Sequence, residues 1–346
     1  MLIPNRSSFY KAASIYLYLA RVLVLILSED DVRGILGIGE AIEAIEKATI
    51  YQAEGRAFVN PRNRIYVGSY ALHTMSSAIE AMGVAGLKAY LSTPSRTVFA
   101  ILLYSLEKSE LIAIIEGDIL SRIRTGAASA VATKHLARRG SSTLGIIGSG
   151  RQAYTQATAI SHVIRPDKIY IYSPNREHSE RLASKLSDLG LQARVAGSHE
   201  EVMRRSDVIS TATNSREPFI RGEWVVEGVH INLVGSNHPS RSEAHPEVFS
   251  KAELVVTDSK AQAEKESGDL LNAVKHGVIG WDRIHELWEV VSRRIAREGD
   301  EEVTIFKSHG IALWDIAVAK IVYDKARRKG AGREIEFRGY WDDRVF

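Results

Sequence analysis

A strand, a glycine turn and the first turns of a helix follow one another in TLGIIGSGRQAYTQA, residues 143–157. The first glycine of such a turn, Gly148, permits a tight bend, and the second, Gly150, lets the backbone approach a pyrophosphate. Ala153 in the third position is small enough for the helix to pack closely on the strand. Since a helix N-terminus also attracts anions, this segment predicts a loop that binds a dinucleotide.

Short apolar strands alternate with amphipathic helices from this turn onward. The pattern predicts strands at 144–147, 168–172, 193–196, 207–211, 230–234 and 253–257, and helices at 151–163, 177–189 and 199–205. We expect residues 258–297 to be helical and residues 304–329 to form a strand or turn followed by a helix. Such alternation gives a parallel sheet with helices on both faces, so the predicted fold class is α/β with a Rossmann-type, doubly wound sheet.

The chain before this turn has a different pattern. It predicts a strand at RVLVLIL, a helix at 40–55, strands in GVAGLKAYLS and TVFAILLYSLEKSELIAIIEG, and an Ala-rich helix that ends at Gly140. The second of these strand segments divides in two at the polar turn 107–110. The tail GAGREIEFRGYWDDRVF matches no element clearly.

A second Gly-x-Gly, at Gly37 and Gly39, fails the requirements of a dinucleotide loop. EDDVRGIL before it predicts a short helix with Ser28 as its cap, where a strand is needed. The third position holds Ile42, which is too large. We therefore interpret this stretch as a turn between two helices.

The apolar N-terminal stretch SIYLYLARVLVLIL allows two interpretations. A signal peptide is one, but Arg21 interrupts the run and no small-residue cleavage site follows. A membrane span needs about twenty uninterrupted apolar residues. We favour an extension that precedes a strand.

Composition excludes several classes of site. The chain has no Cys, which excludes disulfides, Cys-ligated zinc and thiol nucleophiles. Its net charge of +3 indicates no nucleic-acid partner, and no pair of histidines has convincing metal-ligand spacing. We expect a cytoplasmic protein with no metal, nucleic acid or membrane partner.

The residues after the second predicted strand bear on the choice of dinucleotide. YIYSPNREHSE carries Ser173, Asn175 and Arg176 where an acidic residue would bind a ribose 2′-hydroxyl. These side chains can donate hydrogen bonds to a 2′-phosphate, which favours NADP over NAD. The alternative is that they are ordinary turn residues around Pro174.

Stretches along most of the chain resemble the ornithine cyclodeaminase/mu-crystallin family, which includes archaeal-type alanine dehydrogenases and ketimine reductases. The matching stretches are NPRNRIYV, GLKAY, EGDILSRIRTGAASAVATKHLAR, LGIIGSGRQA, SDVISTATNSREPFI, GVHINLVGSNHPSRSEA, VVTDSKAQAEKESGDLL and TIFKSHGIALWDIAVAKIVYD. They occur in family order from about Leu25 to Asp324.

The resemblance implies a homodimer whose subunits have two domains. Residues 133–303 would form the NAD(P)-binding Rossmann domain, inserted in a second α+β domain. Residues 1–132 and 304–346 would form that second domain, which binds substrate and makes the dimer contact, with residues 1–22 as an extension. The active site would lie in the cleft between the domains.

Three cations are candidates for binding a substrate carboxylate, because a buried carboxylate without a partner is costly. The resemblance assigns Arg64 to the substrate carboxylate and Lys88 to the active-site lysine, which could bind the carboxylate or assist proton transfer. It places Arg124 between substrate and cofactor. The alternative for each is an ordinary surface cation.

The remaining candidates lie in the glycine turn and at strand ends, where ligands bind in such sheets. His309 could act as an acid or base, but its position is not generally His in the family, so we interpret it as a cofactor contact. The predicted cofactor-binding residues are Arg124, Thr125, Gly148, Gly150, Arg151, Gln152, Ala153, Ser173, Asn175, Arg176, Thr211, Ala212, Thr213, Val234, Gly235, Ser236, Ser308 and His309.

Asn237 is a departure from the family's cyclodeaminases, which have an acid–base Asp at the end of a Gly-Gly-Asp sequence. An amide cannot take a proton at neutral pH and has no charge to attract the second ammonium of ornithine. With Lys88 and Asn237 as catalytic candidates, we expect hydride transfer between NAD(P)H and a small amino, imino or 2-oxo acid. Cyclodeamination of ornithine with bound NAD, and binding of NADPH or a small ligand without catalysis, are the alternatives.

Overall fold

The computed structural model describes residues 22–337. The strands are Val22–Leu27 (β1), Ala57–Val59 (β2), Asn63–Val67 (β3), Tyr70–Ile79 (β4), Val84–Ser92 (β5), Thr97–Ser105 (β6), Glu110–Glu116 (β7), Thr143–Ile147 (β8), Lys168–Tyr172 (β9), Ala193–Val195 (β10), Val208–Thr211 (β11), His230–Leu233 (β12), Leu254–Thr257 (β13), Ile284–Glu286 (β14), Thr304–Lys307 (β15) and Arg333–Phe337 (β16). The helices are Glu29–Ile35 (α1), Ile38–Ala53 (α2), Asp118–Leu136 (α3), Arg151–Ile164 (α4), Arg176–Ser187 (α5), His199–Arg205 (α6), Pro246–Phe249 (α7), Lys260–Glu266 (α8), Gly268–Lys275 (α9), Leu287–Val291 (α10) and Ala312–Lys329 (α11). Short 3₁₀ turns lie at Glu80–Met82, Gly222–Trp224 and Trp281–Arg283.

The N-terminal strand is confirmed as β1, whereas the extension predicted before it lies outside the described residues. Ser28 caps α1 in a capping box with Asp31. Gly37 is the N-cap of α2 and Gly39 lies in its first turn, so the second Gly-x-Gly stands at the predicted junction between two helices. Among the described residues, no helix is long and apolar enough to span a membrane.

An all-parallel sheet surrounds the glycine turn, which confirms the predicted α/β, Rossmann-type fold class. Its order is β10-β9-β8-β11-β12-β15-β13-β14. The six predicted strands and the three predicted helices are all present, with bounds that differ by at most two residues. The strand order reverses between β8 and β11, and ligands of such sheets bind at this point.

Two expectations about the C-terminal part of this sheet differ from the structure. Residues 258–297 are not helical throughout, because β14 follows α8 and α9 and pairs with β13. A strand of three residues is too short to show a period in the sequence. The predicted division of the chain starts the other domain at residue 304, yet β15 pairs between β12 and β13 inside the parallel sheet. The division into domains otherwise stays a prediction.

The glycine turn has the backbone that its sequence requires. Gly148 has φ +117°, and a Cβ there would lie 2.5 Å from the carbonyl oxygen of Ala212 at the end of β11. Gly150 caps α4, and a Cβ on it would meet nothing within 4 Å. The turn is therefore tight on its inner side and open where α4 begins.

The second sheet is mixed, with the order β16-β1-β7-β6-β5-β4-β2 and with β3 paired to β4. Strand β16 is the tail that matched no element, and it pairs antiparallel with β1. Helix α11 packs on β4, β5 and β6 and against α2 and α3, so the C-terminal helix closes the core under this sheet.

Helices α3 and α4 pack closely and connect the two sheets. A Cβ on Gly126 of α3 would lie 2.4 Å from the carbonyl oxygen of Thr155 in α4. Only glycine allows the two backbones to approach so closely.

We expect Gly126→Ala to lower the free energy of unfolding by about 1–3 kcal/mol, because the added methyl group forces the two helices apart. Gly34→Ala is the matched control: Gly34 is an exposed residue of α1, and a Cβ on it meets nothing within 4 Å. That substitution should leave stability unchanged or raise it by up to about 1 kcal/mol. Urea unfolding followed by circular dichroism measures both, and equal midpoints for the two variants would contradict the packing argument.

Candidate active site

A cavity of about 500 Å³ lies between the two sheets. Strands β3 to β6 of the mixed sheet form one wall, and the loops after β12 and β15 form another. The first turns of α3 and α4 complete it. The predicted site residues that border this cavity are Arg64, Lys88, Arg124, Thr125, Gln152, Val234, Gly235, Asn237, Ser308 and His309.

Lys88 and Arg124 share a carboxylate that sequence reasoning missed. Lys88 Nζ donates to Asp315 Oδ1 at 2.8 Å, and Arg124 Nε donates to the same oxygen at 3.0 Å. All three side chains are buried. Burial would raise the pKa of Asp315, but the charges of Arg124 and Lys88 hold it below its ordinary value. A single acid inside the apolar helix sequence IALWDIAVAK was the available signal, because a buried charge needs a partner.

Burial gives Lys88 a lowered pKa of about 8, against an ordinary value of 10.5. Asp315 opposes this shift, whereas the charges of Arg124 and Arg62 add to it. Aromatic rings flank the ammonium, with Nζ 5.2 Å from the ring centre of Phe99 and 5.7 Å from that of Tyr90. Lys88 therefore titrates close to neutral pH, as a proton donor in a catalytic site needs to.

Glu266 binds a second pair of cations. Arg62 Nη1 donates to Glu266 Oε1 at 2.6 Å, and Arg64 pairs with Glu266 Oε2. Arg62 also donates to the carbonyls of His309 and Gly310 at 2.8 and 3.0 Å. Sequence reasoning missed Arg62 and Glu266, and the polar surroundings of Glu266 in KAQAEKESGD offered no signal.

Arg64 borders the cavity, and its assignment to a substrate carboxylate stays a prediction. Its Nη2 donates to the carbonyl oxygen of Asn237 at 3.0 Å, and its Nε donates to His73 Nδ1 at 3.2 Å. Burial and the neighbouring charges of Arg64 and Arg62 lower the pKa of His73 to about 4, so His73 is neutral and accepts this hydrogen bond. Asn237 itself is exposed at the cavity edge.

The His309 side chain has no exposed surface, so the backbone of this residue borders the cavity. Its Nδ1 lies 3.0 Å from Asp258 Oδ1, and Asp258 Oδ2 accepts the backbone N–H groups of His309 and Gly310 at 2.6 Å each. Burial raises the pKa of Asp258, but His309 and these N–H groups outweigh burial and lower this pKa to about 2. The pair therefore fixes the turn after β15, and the expected cofactor contact stays a prediction.

A buried glutamate organises the strand ends next to the glycine turn. Glu243 accepts hydrogen bonds from the hydroxyls of Thr211 (2.6 Å) and Thr213 (2.7 Å) and from the N–H of Gly235 (2.8 Å). The Ser236 hydroxyl donates to the carbonyl of Arg241 at 3.0 Å. These hydroxyls hold the loops in place, and direct contact of Thr211, Thr213 and Ser236 with a cofactor stays a prediction.

The residues expected to distinguish NADP from NAD make turn contacts in the structure. Asn175 Oδ1 accepts the N–H of His178 at 3.1 Å and caps α5, while Arg176 Nε donates to Glu180 at 2.8 Å. Ser173 follows β9 directly. Both interpretations of this segment therefore remain, and the NADP preference is still a prediction.

A second cavity, of about 750 Å³, begins at Gly150 and Arg151 and runs along α5. Its charged border residues are the four cations Arg122, Arg151, Arg181 and Lys185 and one acid, Asp188. The open N-terminus of α4 at Gly150 and this positive charge fit a phosphate-bearing dinucleotide. Gly148 and Ala153 lie behind this opening and shape the turn. Among residues 22–337 no cluster of three or more His, Asp or Glu side chains could hold a metal ion.

Comparison with known proteins places this geometry in a family. Residues 24–330 match the model of the ornithine cyclodeaminase/mu-crystallin family. Alanine dehydrogenase of Archaeoglobus fulgidus is 37% identical over 322 residues, which cover 90% of this chain and 98% of that protein. The structure of Thermococcus litoralis Δ1-pyrroline-2-carboxylate reductase with NADH and L-proline has a TM-score of 0.86 and 35% identity, covering 90% of this chain and 100% of the other. An archaeal alanine dehydrogenase dimer with bound NAD has the same TM-score and identity, covering 91% and 100%.

Proposed function

The chain belongs to the ornithine cyclodeaminase/mu-crystallin family, and we propose that it is an NAD(P)-dependent oxidoreductase acting on a small α-amino or α-imino acid. The observation that carries this proposal is the group of Arg64, Lys88 and Arg124 around a cavity that reaches Gln152 beside the glycine turn. Relatives that reduce pyrroline-2-carboxylate or are alanine dehydrogenases support the same reaction class.

The charge of the cavity suits a substrate carboxylate. Five of its bordering side chains are Lys or Arg, and none among the described residues is Asp or Glu. Arg124 Nη1 is buried and has no hydrogen-bond partner within residues 22–337, so a carboxylate oxygen can accept from it. Because no described Asp or Glu borders the cavity and Asn237 is neutral, the second ammonium of a substrate such as ornithine would have no anionic partner there. Ornithine cyclodeamination is therefore the weaker candidate.

In this proposal Lys88 donates a proton to the substrate nitrogen, which its burial at the cavity and its lowered pKa support. The nicotinamide, when bound, supplies or accepts the hydride. Lys88 holds a proton at Nζ below pH about 8, while Arg64 and Arg124 orient the carboxylate and the aromatic side chains Tyr90 and Phe99 limit access of water. Asn237 can orient a substrate nitrogen or a water molecule at the edge of the cavity.

We expect NAD(P)H to be oxidised in the presence of a cyclic imino acid such as Δ1-pyrroline-2-carboxylate, or of pyruvate with ammonia. Since Lys88 loses its proton as pH rises, kcat/KM for reduction should fall as pH passes about 8. Lys88→Met should lower kcat/KM by about 100-fold, whereas Lys251→Met, at an exposed lysine, should not.

Three outcomes of that assay would speak against the proposal. Formation of proline and ammonia from ornithine without added cofactor would indicate a cyclodeaminase. Tight NADPH binding with no turnover on a broad panel of imino and oxo acids would indicate a binding protein. An unchanged kcat/KM in Lys88→Met would show that Lys88 takes no part in the reaction.

We propose NADP as the preferred cofactor. Ser173, Asn175 and Arg176 follow β9, and no Asp or Glu lies between the end of β9 and Glu177. Arg176→Ala should raise KM for NADPH by about tenfold, the value of one lost charge-assisted hydrogen bond, and leave KM for NADH unchanged. Arg204→Ala is the matched control, because Arg204 pairs with Glu200 on a helix surface as Arg176 does with Glu180. Equal changes in KM for both cofactors, or a wild-type preference for NADH, would contradict this assignment.

We also propose a homodimer formed through the outer face of the mixed sheet. Ile65, Leu72, Leu91 and Val98 are directly opposite one another across β3, β4, β5 and β6, and each is at least 40% exposed. A continuous apolar row of this kind marks an interaction surface. The dimeric archaeal alanine dehydrogenase supports a second copy of the chain as the occupant.

The substitutions Leu72→Asp and Val98→Asp, made together, should convert the dimer to a monomer because they place charges within the apolar row. Light scattering after gel filtration measures the mass. Leu189→Asp, at an exposed leucine outside the sheet, is the control and should remain dimeric. A dimer that persists in the double variant would place the contact elsewhere.

A further inference from the structure

We propose that Asp315 is a positioning residue whose carboxylate ties Lys88 to Arg124 and keeps the Lys88 ammonium available as the proton donor of the cavity. This inference rests on the proposed function for its catalytic meaning. Its structural part is the dependence of the Lys88 titration midpoint on Asp315, which can be measured without turnover.

Asp315 joins three elements that are distant in the sequence. It lies in the first turn of α11, and its Oδ1 accepts hydrogen bonds from Lys88 on β5 and from Arg124 on α3. Asp315 has no exposed surface, so it does not itself border the cavity. It therefore acts through Lys88 and Arg124, which do.

Asp315 is the sole hydrogen-bond acceptor of Lys88 Nζ among residues 22–337. An ammonium has three N–H donors, so two remain for a ligand in the cavity. The other groups that face Lys88 are Tyr90 on its own strand, Phe99 on β6, Arg124 on α3 and Arg62 before β3. The rings stabilise a cation without accepting its proton, and the arginines repel it.

The charge balance of this cluster is incomplete without a ligand. One carboxylate faces two cations, and Arg124 Nη1 is a buried donor with no hydrogen-bond partner among the described residues. A substrate carboxylate supplies the second negative charge. Removing Asp315 instead leaves two buried cations without their carboxylate, which favours loss of the proton from Lys88.

The test compares Asp315→Asn, which removes the charge at nearly the same volume, with Asp269→Asn. Asp269 pairs with Lys307 at 3.0 Å and is equally buried, but neither member of that pair borders the cavity. Protein labelled with ¹³C at lysine Cε reports the titration of Lys88 by NMR, with the signal assigned from Lys88→Arg. The same variants are assayed for reduction of the imino acid across pH and for NADPH affinity.

In Asp315→Asn we expect the titration midpoint of Lys88 to fall by about one unit or more. The alkaline limb of kcat/KM should move with it, giving a loss of about fivefold or more at the wild-type midpoint, with NADPH affinity unchanged. Asp315→Glu keeps the negative charge, so the Lys88 midpoint in this variant should lie between those of Asp315→Asn and the wild type. Asp269→Asn should leave both the Lys88 titration and the pH profile as in the wild type.

Arg124→Gln gives a test of opposite sign, because removing the repelling cation should raise the Lys88 midpoint. This variant and Asp315→Glu keep the inference testable where Asp315→Asn does not fold. An unchanged midpoint in Asp315→Asn, or a fall of the same size in Asp269→Asn, would overturn the inference. A shifted midpoint in a protein that reduces no imino acid would uphold the dependence of the Lys88 pKa on Asp315 and reject the proposed function.

Discussion

Buried carboxylates that each bind two cations hold the parts of this chain together around the cavity. Glu266 on α8 of the parallel-sheet half binds Arg62 and Arg64, which flank the start of β3 in the mixed sheet. Asp315 on α11 binds Lys88 and Arg124. Removing one partner of a buried ion pair costs about 3–5 kcal/mol, so these contacts also fix the relative position of the elements that carry them.

Two further carboxylates shape the loops that complete the cavity. Glu243 joins the ends of β11 and β12, and Asp258 binds the turn after β15. Neither borders the cavity. Around this cavity the described acids therefore lie behind its surface while the cations border it, an arrangement that favours an anionic ligand.

The sequence predicted the elements whose signals are local. The turn around Gly148 and Gly150 was recognisable because its demands on residue size and backbone are met within a few positions. Strand β14 and the pairing of β16 with β1 were missed, since three residues have no readable period and an edge strand is defined by its partner. The predicted start of the other domain at 304 fell before β15, which belongs to the parallel sheet.

For the site, motifs located Arg64, Lys88 and Arg124, and the structure brings all three to one cavity. Their acidic partners, Glu266 and Asp315, escaped sequence reasoning because the paired residues are some two hundred positions apart. The lone acid in IALWDIAVAK indicates that Asp315 needs a partner but does not identify that partner.

Sequence alone determined the strand–turn–helix at residues 143–157 and the fold class, because glycine conformation and hydrophobic period act over a few residues. Tertiary structure alone decided which charges meet. Burial and the distance to Asp315 set the pKa of Lys88, and neither can be read from the order of residues.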